Sequence, residues 1–116
     1  MSKTLALILC IGTFLLVQII TWFQLNGQFV WPWFKTNVFL LCLFGLPISW
    51  FYIEATRLGF IAFDGALWPG RFLGFATGMI SFAVLTSFYM NEGINAKTVI
   101  SLILATVLTC IQIFWK

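Results

Sequence analysis

The stretch Thr4 to Phe23, TLALILCIGTFLLVQIITWF, decides the fold, because it runs for twenty residues without a charge. An α-helix of that length is about 30 Å long, the thickness of a bilayer's hydrocarbon core. The rest of the chain agrees. Of its 116 residues, 62% are apolar and 8% charged, against roughly 25% charged in an average soluble domain. So short a soluble chain would have to carry its apolar excess on its own surface. Lipid resolves the conflict. The start, Met1-Ser2-Lys3 ahead of leucines, is like that of a signal peptide, but no small-x-small cleavage site follows. Leu7-Ile8-Leu9-Cys10 lacks the small residue that a lipobox needs before its Cys, so the run is expected to stay as a span.

Outward from this run, Gln24 to Phe34 contains Asn26-Gly27 and Trp31-Pro32-Trp33 and reads as an interfacial loop with indoles at headgroup depth. A second helix is expected over about 36–58, bent at Pro47, with neighbouring helices satisfying the freed carbonyl. Asp64-Gly65 and Trp68-Pro69-Gly70 mark the next connection, and a third helix follows over about 70–90. Asn91-Glu92-Gly93 forms a tight turn, and Asn95 is placed to cap a fourth helix over about 96–115. So short a turn makes the last two helices an antiparallel hairpin. The fold class is therefore all-α: one transmembrane domain over residues 1–116, an integral membrane four-helix bundle spanning at about 4–23, 36–58, 70–90 and 96–115.

An even number of spans puts both termini on one side, with Lys3, Arg57, Arg71 and Lys116, against Lys35 and Lys97 opposite. Four against two favours both termini in the cytoplasm, in the cell's inner (plasma) membrane. The net charge of +3 is spread singly at the ends of apolar runs, which is topology and not nucleic-acid binding. The chain has no His, and Cys10, Cys42 and Cys110 have no metal-ligand or disulfide spacing. No metal or cofactor is expected. Paired carboxylates and a clustered nucleophile and base are also missing, so an enzyme is not expected.

Few residues in the spans can carry function. Glu54 follows Trp50 and Tyr52 near the end of the second helix, where a carboxylate is costly. It reads either as an i,i+3 ion pair with Arg57 at the membrane edge or as a substrate or proton-coupling group. Gly70, Gly74 and Gly78 recur every four residues and leave one face of the third helix nearly bare, for close helix packing or as the lining of a path. Ser101, Ala105 and Thr109 make a softer stripe on the fourth helix, facing its own hairpin or a second copy. Gln18 needs a partner in lipid and should face the bundle interior. Trp22, Trp50, Tyr52 and Trp68 read either as an interfacial belt or as an aromatic cage for a cation. Asp64 and Glu92 lie in connections and need no further role.

The stretch Ile53 to Trp115 has an Ala-x-Arg-hydrophobic-Gly end to the second helix, an x-Glu-x turn at Glu92 and a closing helix of about twenty residues. In this it resembles the C-terminal halves of proteins in the drug/metabolite transporter superfamily, most of all its short four-helix members. The whole length also resembles the small multidrug resistance proteins, but the acidic residue of their first helix has no counterpart in Thr4 to Phe23, so their proton-coupled drug antiport is not carried over. A related group of uncharacterised four-helix members fits better, matching at Trp22-Phe23 and at Glu54 to Gly59. The resemblance implies a homodimer of four-helix halves, parallel or antiparallel.

The expected function is transport of a small organic solute through a dimer, with a site between helices one to three. Glu54 and Arg57 would anchor the solute, Trp22, Trp50 and Tyr52 would wall it, and Gly70-Gly74-Gly78 would slide. The expected partners are the lipid bilayer and a second copy, with other membrane proteins as the further class. The alternative is a structural or accessory subunit packed through the glycine face against a larger membrane complex.

Overall fold

The structure is a computed structural model and describes residues 2–115. Met1, part of the signal-like start, and Lys116, part of the charge balance, lie outside it. The described residues are helical throughout their ordered elements. Helix α1 covers Lys3–Asn26, and Ser2 caps it, its Oγ accepting from the Leu5 amide at 3.1 Å. A single 3₁₀ turn, Gly27–Phe29, carries the chain into the short helix α2, Pro32–Thr36, with Pro32 in the first turn where no amide is needed. The expected loop over 24–34 is thus largely helical.

The second span is two helices in place of one: α3, Val38–Leu43, and α4, Gly45–Ala62. The break falls at Phe44, not at Pro47 itself. Pro47 has no amide to bond the carbonyl of Leu43 four residues back, and its ring crowds that carbonyl, so the ladder parts one turn upstream. Gln24 reaches in from α1 and donates to the Leu41 carbonyl at 2.9 Å. The third and fourth spans are α5, Trp68–Tyr89, and α6, Ala96–Phe114. Asn95 caps α6, its Oδ1 accepting from the Thr98 amide at 2.9 Å. Four helical spans, Lys3–Phe29, Val38–Ala62, Trp68–Tyr89 and Ala96–Phe114, are long and apolar enough to cross a membrane. This is an integral membrane protein of four spans.

Between α4 and α5 the chain turns through Asp64 (φ 56°) and Gly65 (φ 85°), and the Gly65 amide closes back on the Phe60 carbonyl at 2.8 Å. That six-to-one bond ends the helix in the left-handed manner glycine favours. Asp64 also pairs with Lys3 at 2.5 Å, tying the start of α1 to this turn.

The bundle is open. The Cα atoms extend 46 × 36 × 17 Å, whereas four helices packed two on two would measure roughly 15–20 Å in both directions across. The helices stand nearly in a row, in the order α4, α1, α5, α6. Helix α1 is therefore the central element, and its buried residues Ala6, Cys10, Phe14 and Val17 recur at spacings of three and four. Cys10, Phe14 and Val17 form the core with Ile48, Ala55 and Leu58 of α4 and Leu73 of α5. Small residues let the backbones close in: the Cys10 thiol donates to the Ala55 carbonyl at 3.3 Å. Helix α6 packs on α5, burying Ala105 and Thr109, while its other faces stay open.

Candidate functional site

Helices α4 and α5 meet at Gly59 and Gly70, where a Cβ added to Gly59 would lie 3.5 Å from the Gly70 Cα. Away from this contact they straddle α1, and a groove of about 1210 Å³ opens between them. Its floor is Phe14 and Gln18 of α1. One wall is Tyr52, Thr56 and Phe60 of α4, which recur at i, i+4 and i+8 and so share a face. The other wall is α5, with Gly70, Gly74 and Gly78 beside Phe75, Met79 and Phe82. Trp68 and Arg71 stand at the end formed by the α4–α5 connection.

The glycines make room for the floor. A Cβ on Gly74 would come within 3.1 Å of the Phe14 ring, and one on Gly78 within 3.0 Å of the Gln18 amide. Bare backbone here also exposes a carbonyl: Gln18 Nε2 donates to the Gly74 oxygen at 3.1 Å, which also accepts from Thr77 Oγ1 at 3.0 Å. Gln18 Oε1 has no donor among the described residues. Tyr52 Oη lies 3.3 Å from Thr21 Oγ1. The Thr21 hydroxyl hydrogen is directed to the Val17 carbonyl at 2.7 Å, so the phenol is the donor to Thr21. The phenol oxygen and Gln18 Oε1 are then the spare acceptors of the groove, and Arg71 is its spare donor.

Of the residues singled out in the sequence, Gln18, Tyr52, Gly70, Gly74, Gly78 and Trp68 line this groove. Glu54 and Arg57 do not. They form an i,i+3 ion pair along α4, with Arg57 Nη2 donating to Glu54 Oε2. At about 100° per residue, Glu54 sits on the far side of the helix from Tyr52 and Thr56. Within one copy, then, neither Glu54 nor Arg57 lines the groove between α1, α4 and α5.

Of the four aromatics read as a cage, Tyr52 and Trp68 line the groove, and Trp22 and Trp50 lie elsewhere. Trp50 is exposed on the outside of α4 beside Phe51. Trp22 is buried where α1 crosses α5, its Nε1 donating to Thr86 Oγ1 at 2.9 Å. It belongs to a second aromatic group with Phe23, Trp31 and Tyr89, whose ring centroids lie 5.2–6.0 Å apart. On α6, Ala105 and Thr109 are buried and Ser101 is exposed.

Phe14, Thr56 and Arg71 also line the groove and carry no site motif in the sequence. The i, i+4 spacing of Tyr52, Thr56 and Phe60 was the available signal, but nothing local distinguishes that face of α4 from its others. The chain matches no protein family, no curated protein and no solved structure in comparisons with each.

Proposed function

We propose that this protein is a small membrane transporter of the drug/metabolite type that carries a small organic solute in the groove between α1, α4 and α5, working as a homodimer. The observation that carries this reading is the groove itself. Such a volume inside the hydrocarbon layer, with spare polar atoms on an otherwise apolar floor and walls, has the make-up of a ligand site. The open row of helices supports the dimer, because one copy leaves the groove unclosed and a second would complete an enclosed path. The charges Lys3, Arg57 and Arg71 favour cytoplasmic termini.

The test is solute uptake into proteoliposomes across a panel of organic cations, anions and neutral metabolites. Gln18→Leu removes the floor amide and Thr56→Trp fills the groove, and each is expected to lower uptake at least tenfold. Glu54→Gln, off the groove, should leave it within about twofold. Uptake that survives Thr56→Trp but disappears with Glu54→Gln moves the site to the outer face of α4. The accessory-subunit reading draws on the same openness, since a foreign helix would also close the groove. Purification in mild detergent separates the two readings: a homodimer supports transport, and a stoichiometric foreign chain supports the accessory role.

A further inference from the structure

The groove has a length, a charge and an opening that together specify more than a generic solute. From Arg71 to Phe82 it follows α5 over eleven residue steps, which at 1.5 Å each is about 16 Å, close to half of a 30 Å hydrocarbon core. It therefore reaches from one membrane surface to about the midplane, the depth of a single leaflet.

Its lining is apolar and aromatic over that length, and the hydroxyls along it are held by the protein: Thr56 Oγ1 donates to the Tyr52 carbonyl at 2.8 Å, and the Tyr52 phenol to Thr21. No acidic residue lines it. Among the described residues the one charge on it is Arg71, at the end where Trp68 marks headgroup depth. Arg71 has no ion pair among the described residues, whereas Lys3 and Arg57, the other described cations of that end, are held by Asp64 and Glu54. A free guanidinium at that depth pairs best with a phosphate, in bidentate charge-assisted hydrogen bonds.

We infer that the groove seats an anionic membrane lipid from the leaflet on the Arg71 side, its phosphate at Arg71 and one acyl chain lying along the Gly70-Gly74-Gly78 flank towards Gln18. The open side of the row lets such a lipid enter laterally. This deepens the transport reading by naming the class of molecule in the same groove, but occupancy is measurable without transport.

The experiment reconstitutes the full chain in phosphatidylcholine bilayers with spin-labelled phosphatidylglycerol or spin-labelled phosphatidylcholine and reads the motionally restricted fraction of each. The expected result is a preference for the anionic label of roughly fivefold, the ratio one interfacial cation supplies. Arg71→Gln should abolish the preference and Arg71→Lys keep part of it. Lys97→Gln, at the opposite membrane surface, should leave it unchanged. Thr56→Trp should release restricted lipid of either headgroup, with circular dichroism confirming the helices intact.

Equal restriction of the two labels, a preference that survives Arg71→Gln, or an equal loss with Lys97→Gln overturns the inference. So does restriction unchanged by Thr56→Trp, or a foreign transmembrane chain cross-linked into the groove. Solute uptake without lipid selectivity rejects the lipid and keeps transport, and selectivity without uptake of any solute or lipid does the reverse.

Discussion

Trp22 and Ser81 show how unevenly single polar groups weigh in this interior. Trp22 is buried and its one donor is spent on Thr86, so Thr86→Val leaves the indole N–H unpaired among apolar neighbours. In a membrane protein such a loss is expected to cost roughly 0.6–2 kcal/mol, similar to water-soluble cores, because the unfolded chain also finds partners. Denaturation by sodium dodecyl sulfate in mixed micelles measures it, and Thr86→Ser should restore most of it. Ser81 is the opposite case, a buried hydroxyl with no partner among the described residues. Ser81→Ala breaks no bond, and the same titration should find it neutral or slightly stabilising. The sequence showed that Gln18 needed a partner, but not that the partner is the Gly74 carbonyl. That choice rests on which backbone stands opposite, a distance that no local pattern encodes.

Among the elements, α5 has the most graded glycine face. At Gly74 a Cβ meets the Phe14 ring, itself pinned in the core, so Gly74→Ala is expected to destabilise by about 1–3 kcal/mol through overpacking. The neighbour of Gly78 is a flexible amide, so Gly78→Ala should cost less, mainly by displacing the Gln18 hydrogen bond. At Gly70 the nearest atom would be 3.8 Å away, ordinary contact, and Gly70→Ala should stay within about 1 kcal/mol. Thermal melts in detergent that fail to rank 74 above 70 would contradict this packing. Gly27 stands apart from the stripe, since a Cβ there would fall 2.4 Å from the Phe34 ring. The spacing of four made the stripe legible, whereas Gly27 looked like a turn residue and is a contact residue. Likewise Pro47 announced a bend, but the break lies at Phe44, because proline acts on the carbonyl one turn before it.

At the scale of the whole molecule the row of helices carries the remaining predictions. Both termini are expected in the cytoplasm, so reporter fusions at either end should be active there and inactive when moved to the 91–95 connection. Stepwise photobleaching of labelled protein in bilayers should show two copies per particle, and single steps would remove the homodimer. Helix α6 presents Ile100, Ile103, Leu104, Val107 and Leu108 outward, a surface that lipid covers at no cost. The four spans, the cap at Asn95 and the turn at Asp64-Gly65 are legible in the sequence alone, because length, apolarity and local hydrogen bonding are properties of contiguous residues. The tertiary arrangement places α1 at the centre, gathers Tyr52, Trp68 and Arg71 into one groove, and leaves Glu54, Trp22 and Trp50 away from it. The physical reason is that lipid is as apolar as a protein core, so these helices are apolar on every side and hydrophobicity marks no inward face. Within the bilayer, the fit of glycines against Phe14 and Gln18 selects the neighbours.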